Sequence, residues 1–448
     1  VKIDLLVAEI GSTTTMVHAV DGMNSPSARL LGQGSAVTTA SQGDVFRGLE
    51  AALDDLAHGL GEKGVEAELR TAASSAAGGL RMTVHGLAYD MTVRAAREAA
   101  LGAGAVVKMV TAGMLGTRQL AALIEEEPNL ILLAGGIDYG DEETAYHNAE
   151  AIAEALSKAD LKIPVVYAGN AVLQGDIQTL LTRHGLPVFL CDNVYPRVDE
   201  LVVEPARAAI QRIFEEHIVT APGMDRVKDL WGRTVWPTPA AVMQSAQLFC
   251  QRVGDVVVID VGGATTDVHS VTEGSPDIQE ILAAPEPRAK RTVEGDLGVY
   301  INRARIAQLL QTPSSNLDQG EAIPRSAAER ERVKTLSAAA LSYGLSRHAG
   351  RLRYRYGPTG RQRWAWGKDL TAVQHMVGTG GVFAFLDPDG ALLGRAVQQL
   401  DRELLLPRNA AYHVDRDYVM AAAGTLARSY PDQAWQLLKT SIFRSGLI

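Results

Sequence analysis

Two carboxylates, Glu9 and Asp260, each close an apolar run and stand directly before a turn of glycines and hydroxyl side chains. Residues 9–20 read EIGSTTTMVHAV, and residues 260–271 read DVGGATTDVHSV. The two segments align without a gap: Glu9 on Asp260, Gly11 on Gly262, Thr14 on Thr265, Thr15 on Thr266, Val17 on Val268 and His18 on His269. Glycine lets backbone N–H groups approach an anion and adopt positive φ. Ser and Thr hydroxyls add neutral donors. An acid just before the turn can hold Mg2+, which keeps several waters and takes few carboxylates. One such turn is explained by hairpin formation alone. Two gapless copies, each with a leading acid, point instead to facing hairpins that clamp one polyphosphate. The expected ligand is ATP or ADP with Mg2+. Asp260 and Glu9 would stand at the metal. Gly11, Ser12, Thr13, Thr14, Gly262, Gly263, Ala264, Thr265 and Thr266 would surround the phosphates.

The elements that must position these groups follow from hydrophobic patterning. Leu5-Leu6-Val7-Ala8 precedes the first turn and Val256-Val257-Val258-Ile259 the second, and a β-rich run follows each. Both copies therefore read as strand, turn, strand. Between them, Leu130-Ile131-Leu132-Leu133, Ile163-Pro164-Val165-Val166 and Val188-Phe189-Leu190 recur at βαβ spacing, with helix-like stretches at 141–157 and 171–184. That pattern predicts a small parallel sheet with helices on its faces. Its strands end in Ala134-Gly135-Gly136-Ile137-Asp138, Ala168-Gly169-Asn170 and Asp192-Asn193. Ligand crevices form at such ends, and ordinary helix capping draws on the same residue types. Residues 88–127 are Ala-rich with helical spacing and read as solvated helix, 312–325 as a loop, and 326–347 as a helix. The segment RLRYRYGPTGRQRWAWG at 351–367 reads as a hairpin around Gly357-Pro358-Thr359-Gly360. Its alternation is expected to put Arg351, Arg353, Arg355, Arg361 and Arg363 on one face and Tyr354, Tyr356, Trp364 and Trp366 on the other. Such a hairpin suits a sheet edge or a dock for an acidic partner better than a nucleic-acid platform.

Bulk properties narrow the class. At 448 residues the chain is too long for one core. Its 52 acidic and 43 basic residues give a formal charge of −9, which disfavours bulk binding to nucleic acid or anionic membrane. Cys191 and Cys250 lie far apart with no metal-ligand spacing, as expected of a reducing cytosol. The opening Val1-Lys2-Ile3-Asp4-Leu5-Leu6-Val7 does not read as a signal peptide, and no apolar run is long enough to span a membrane. The expected location is cytoplasmic.

The paired hairpins resemble the two phosphate motifs of the actin, sugar-kinase and DnaK-type ATPase superfamily. TPAAVMQSAQLFC at 238–250 resembles its first connecting helix, and DYVMAAAGTLA at 417–427 its second. EGDLG at 294–298 resembles the turn that approaches the nucleotide, and VGTGG at 377–381 the adenosine loop. The resemblance implies α/β architecture: duplicated ribonuclease-H-like ATPase domains with an added βαβ region in the first half. The expected boundaries are 1–90, an insertion at 91–215, 216–251, a second half at 252–415, and a connecting helix and tail at 416–448. It adds Glu294, Gly295, Asp296, Gly378, Thr379, Gly380 and Gly381 to the nucleotide site, and makes Gln244 a candidate for orienting the attacking water. Glu9 departs from the usual Asp by one methylene.

AGGIDYGDEETAYHNAE (134–150), VVYAGN (165–170), DNVYP (192–196), RTVEGDLG (291–298), RHAG (347–350) and GKDL…VGTGG (367–381) narrow the resemblance further. They look like the GlmL/MutL accessory family of adenosylcobalamin-dependent glutamate mutase and related aminomutases, which is unrelated to the mismatch-repair protein of similar name. The resemblance implies an ATP-dependent reactivating chaperone whose partner is such a mutase subunit, with room for a small second subunit. The Asp-x-His-x-x-Gly pattern of cobalamin-binding subunits does not occur, so direct cobalamin binding is not expected. Three other readings use the same cleft. A small-molecule kinase would take Asp138, Asp192 or Asp199 as base, a hydantoinase-type hydrolase would cleave a lactam, and a nucleotide sensor would bind without turnover. An iron–sulfur activator would need cluster cysteines that Cys191 and Cys250 do not supply.

Overall fold

The computed structural model describes residues 1–25, 27–76, 80–217, 223–231, 235–311, 317, 320–357 and 360–443. The chain divides into two compact units. Unit 1 comprises Val1–Ala77, Val219–Ala284 and Arg288–Ile448; unit 2 comprises Gly78–Ile218 with Pro285–Pro287.

Unit 1 contains two five-stranded sheets built to one plan. The first is formed by β1 (Lys2–Ile10), β2 (Thr14–Asp21), β3 (Arg29–Val37), β4 (Glu66–Ser74) and β10 (Val235–Pro237), in the order β3-β2-β1-β4-β10. The second is formed by β11 (Val256–Val261), β12 (Thr266–Val271), β13 (Ala289–Glu294), β16 (His375–Thr379) and β17 (Ala411–Val414), in the order β13-β12-β11-β16-β17. In both, the first three strands form an antiparallel meander and the last two add in parallel. The central strands β1 and β11 are near-continuous apolar runs because both faces of each sheet are covered.

Helices occupy equivalent places too. After the third strand comes α1 (Val45–Gly59) in the first half, and α10 (Arg303–Leu309) with α11 (Ala327–His348) in the second. After the fifth strand comes α8 (Thr238–Arg252) in the first half, and α14 (Met420–Leu426) with α15 (Pro431–Ile442) in the second. Between β4 and β10 lie unit 2 and α7 (Met224–Trp231); α9 (Pro276–Gln279), α12 (Gly381–Phe385) and α13 (Ala391–Gln399) complete the second half. One core gathers α8, α14 and α15 with strands of both sheets, and a second packs α11 and α13 onto β11 and β16. This is the duplicated ribonuclease-H-like plan of the actin and chaperone ATPases.

Unit 2 is a parallel sheet in the order β6-β5-β7-β8-β9, made of β5 (Leu80–Gly86), β6 (Ala105–Ala112), β7 (Leu130–Leu133), β8 (Val165–Tyr167) and β9 (Val188–Leu190). Helices α2 (Arg94–Gly102), α3 (Thr117–Glu126), α4 (Glu143–Lys158), α5 (Gln174–Arg183) and α6 (Glu204–His217) connect and cover it. β5 lies on the N-terminal side of the expected boundary at 90, yet it is a central strand here.

The structure corrects two local readings. Residues 88–127 are not all helical: Gly102 and Gly104 end α2, and the β-branched residues around Val106, Val107, Val110 and Thr111 form β6. The hairpin of β14 (Arg351–Gly357) and β15 (Gly360–Trp366) does not separate arginines from aromatics. The strand register pairs Arg351 with Trp366, Arg353 with Trp364 and Tyr354 with Arg363. Opposed residues share a face, so odd positions on one strand join even positions on the other and both faces are mixed. Pro358 and Thr359, and residues 312–316, 318 and 319 of the 312–325 loop, lie outside the described residues. No helix among the described residues is long and apolar enough to cross a membrane.

Candidate functional site

The two repeated turns close with the same hydrogen bond. The Gly11 N–H donates to the Thr14 carbonyl at 3.0 Å, and the Gly262 N–H to the Thr265 carbonyl at 2.9 Å. Strand register puts Glu9 opposite Met16 and Asp260 opposite Asp267, so each acid sits one residue inside the pairing that ends the hairpin. The turns approach closely: a Cβ on Gly263 would fall 2.5 Å from Thr13 Oγ1. Around them opens a cavity of about 520 Å3, lined by Glu9, Gly11, Ser12, Thr13, Thr14, Asp260, Gly262, Gly263, Ala264 and Thr265. This volume suits a nucleotide-sized ligand.

The acids have unusual electrostatics. Burial, then the negative charge of Asp260, pushes the Glu9 carboxyl up to about 8. Burial, then Asp267 and Asp415, pushes Asp260 up to about 7. Arg291, whose charge opposes that rise, is committed to Asp267 through Nε at 2.9 Å and Nη2 at 2.6 Å. Glu9 is 3% exposed, and its Oε2 is buried without a hydrogen-bond partner, while Tyr418 hydrogen-bonds to the carboxylate. An orphaned carboxylate oxygen beside a second acid is a set that a divalent cation would satisfy. Mg2+ fits, because it needs only one or two carboxylates and completes its octahedron with water and phosphate.

Other expected residues divide into those at the cavity and those removed from it. Gly381 lines it. Gly380, at φ +94°, packs against the acid: a Cβ there would lie 2.7 Å from Asp260 Oδ1. Thr266 is buried with its hydroxyl on the Leu297 carbonyl at 2.8 Å, and Thr379 donates to Asp415 at 2.8 Å. Gly378 faces the Phe383 ring inside the sheet. Glu294 and Asp296 both pair with Arg347, at 2.7 Å for Asp296, and the Gly295 carbonyl accepts from Asn302 at 2.8 Å. None of these six residues, Thr266, Gly378, Thr379, Glu294, Gly295 and Asp296, lines the cavity. Gln244 is likewise a correction. It lies almost two turns into α8, off the cavity, and accepts from Arg428 Nε at 3.4 Å. Asp138, Asp192 and Asp199, the kinase-type bases, belong to unit 2 and line no part of the cavity.

Several site residues carry little or no signal in the sequence. Thr238 heads α8, is 6% exposed, lines the cavity and leaves Oγ1 buried without a partner. The Thr-Pro pair at 238–239 is a helix-start signal that marks its place. Tyr418 holds Glu9 from a backbone at φ +50°, for which the sequence carries no signal. Asp415 accepts from the Thr379 and Ser441 hydroxyls and from the N–H groups of Val419 and Met420, which fixes the start of α14. The far side of the cavity is lined by Arg303, Arg330 and Arg332 with the exposed ring of Phe385.

The chain is 34% identical to Protein MutL of Clostridium tetanomorphum over 460 residues, covering 97% of this chain and 98% of that protein. Among solved structures it is similar to a nucleotide-free acetone carboxylase (TM-score 0.41, 12% identity, 95% of this chain and 70% of that one). It is also similar to a diol dehydratase-reactivating factor in nucleotide-free form (TM-score 0.37, 10% identity, 96% and 99%). A third is component A of the (R)-2-hydroxyglutaryl-CoA dehydratase of Acidaminococcus fermentans (TM-score 0.31, 10% identity, 96% and 99%). The MutL protein family model matches residues 5–442, and the chain belongs to that family.

Proposed function

We propose that this chain is an ATP-driven reactivating chaperone that remodels an adenosylcobalamin-dependent mutase, of the glutamate mutase or aminomutase kind, and so releases damaged cobalamin. The observation that carries the reading is the pair of equivalent hairpins meeting at one cavity with two uncompensated acids, in a member of the MutL family.

The chain's own groups have separable roles. The N–H groups and hydroxyls of Ser12, Thr13, Gly263 and Thr265 would bind phosphate oxygens. Glu9 and Asp260 would hold Mg2+, which when bound neutralises phosphate charge and orders water. The Thr238 hydroxyl lacks a partner and stands at the head of a 15-residue helix, placed to orient the attacking water. Since α8 and α14 carry the ends of the two sheets, closing both hairpins on one ligand and reopening after hydrolysis makes a two-state element. A partner that prefers one state is remodelled within the limit of that preference.

The test starts from a mutase inactivated by its own turnover. This chain, ATP, Mg2+ and fresh cofactor are then added. Recovery that needs ATP and is lost in Asp260→Ala supports the reading. Failure with the co-encoded mutases, joined by phosphate transfer to a metabolite, moves the assignment to a small-molecule kinase. Partner-free, ATP-coupled opening of a lactam moves it to a hydantoinase-type hydrolase.

A further inference from the structure

The five strands of unit 2 run parallel, so the loops that follow them share one edge of its sheet. Each loop exposes a large apolar side chain: Tyr89 after β5, Met114 after β6, Tyr139 after β7, Val172 after β8 and Val198 after β9. Tyr146, in the first turn of α4 at the same edge, is exposed as well. These six are all the exposed large apolar residues found among the described residues of unit 2. Scattered exposure is ordinary, but confinement to one edge is the mark of a contact surface.

The edge is rigid where it is most apolar. Asp138 Oδ1 accepts from the Ala171 N–H and from Asn193 Nδ2, each at 2.9 Å. The Tyr139 N–H donates to Asn170 Oδ1 at 3.0 Å, and the Asp138 N–H to the Pro196 carbonyl at 2.9 Å. The loops after β7, β8 and β9 are thus bonded into one block, which presents its side chains with little ordering left to do on binding. Tyr139 is 85% exposed at φ +61°, a backbone that favours Gly or Asn, so its ring buries little surface within the unit.

Charge selects the occupant. Unit 2 holds 20 of the chain's 52 acidic residues and 11 of its 43 basic ones, so it carries the whole formal charge of −9 while unit 1 balances. Exposed Asp90, Glu142, Glu143, Asp192 and Asp199 stand in or beside these loops. The geometry points to a docking surface for the partner enzyme, one that receives an apolar patch on the mutase ringed by lysine and arginine. This assignment rests on the proposed function for the identity of the partner.

The experiment uses the full chain and the co-encoded adenosylcobalamin mutase. Their affinity is measured at about 50 and about 300 mM KCl, a range over which screening weakens exposed charge pairs. The parent is compared with two double variants, Tyr139→Asn with Val198→Ser, and Asp90→Lys with Asp192→Lys. Asn tolerates the left-handed backbone, so the first pair removes the ring without straining its loop. The inference expects the parent complex to weaken with salt. It also expects each double variant to bind at least tenfold more weakly, with nucleotide binding and partner-free ATP turnover unchanged. In hydrogen exchange, the mutase should protect the five loops. Variants that bind like the parent, or protection confined to other segments, overturn the inference and leave the proposed function standing. A parent that binds no mutase at either salt overturns both. Self-association through these loops, abolished in the variants, gives the surface to a second copy and also overturns the assignment.

Discussion

Glu9 and Asp260 are raised for the same reason: Glu9 is buried and Asp260 half-buried, each is desolvated beside another negative charge, and no cation among the described residues is committed to either. Such a pair is a poor way to stabilise a fold and a good way to wait for a metal. Asp260→Ala should therefore lower ATP turnover by roughly a hundredfold, or about 2.7 kcal/mol of transition-state stabilisation. Single-turnover kinetics that match the parent would remove Asp260 from the site. Thr238 makes a different prediction, because on the proposed reading its unpartnered hydroxyl would orient water rather than hold the metal. Thr238→Ala should reduce kcat by about tenfold or more, at the lower end of general positioning effects. Nucleotide affinity by calorimetry should hold, and Thr238→Ser should restore most of the rate. Equal kcat in Thr238→Ala would leave the hydroxyl without a role in turnover. The acids are legible in the sequence because the repeat displays them in register. Thr238 is not, because its meaning depends on where α8 begins, and one residue's shift along a helix turns a side chain by about 100°. Gln244, almost two turns farther along α8, does not line the cavity. The repeated His18 and His269 are buried core imidazoles rather than site residues, and burial pushes them down to about 4 and about 3.

At the scale of elements, α8 and α14 are equivalent helices, each following the fifth strand of its sheet, and they cross at small residues. A Cβ on Gly424 would fall 1.8 Å from the Ala241 carbonyl oxygen, so the backbones touch. Gly424→Ala cannot be absorbed by a rotamer change and should force the helices apart, at a cost of about 1–3 kcal/mol typical of overpacking. Chemical denaturation reads that loss. A fall in turnover beyond what the unfolded fraction explains would show that the same crossing transmits closure. Unchanged stability would mean that the helices separate freely. The small residues Ala421, Ala422 and Gly424 are visible in the sequence, and so are β1, β11 and the helix at 327–348, whose capping box joins Ser326 to Glu329. The elements that depart from the sequence pattern share a cause. β6 follows an alanine-rich stretch, so composition favours helix until Gly102 and Gly104 are taken as terminators. In the β14–β15 hairpin, alternation holds along each strand, but which residues share a face depends on the register, and the register pairs odd positions of one strand with even positions of the other.

Over the whole molecule, proton, metal and nucleotide binding should be linked through the two acids. Their ordinary values are 4.5 for Glu9 and 3.8 for Asp260, against about 8 and about 7 in the folded chain. Between those limits the folded state holds protons that the unfolded state has released. The contribution of these two acids to the stability of the metal-free protein should then be fully present below their unfolded values and be lost as pH rises toward 8. A tenfold difference in proton affinity between the folded and unfolded states corresponds to about 1.36 kcal/mol, so even part of the effect is measurable. Magnesium nucleotide would reverse the preference on the proposed reading, since it would bind the ionised acids and stabilise the fold by RT ln(1 + [L]/Kd), about 2.7 kcal/mol at a hundredfold excess over Kd. The stabilisation by ADP and Mg2+ should consequently be larger at pH 8 than at pH 6, and EDTA should remove most of it. Scanning calorimetry at both pH values, with EDTA and with ADP plus Mg2+, measures both slopes. In Asp260→Ala the metal-free protein should lose less stability with rising pH, because one of the two carboxyls with a raised pKa is gone. A nucleotide effect that is equal at both pH values in the parent, and insensitive to EDTA, would separate the acids from the ligand. The hairpins alone would then hold the phosphates.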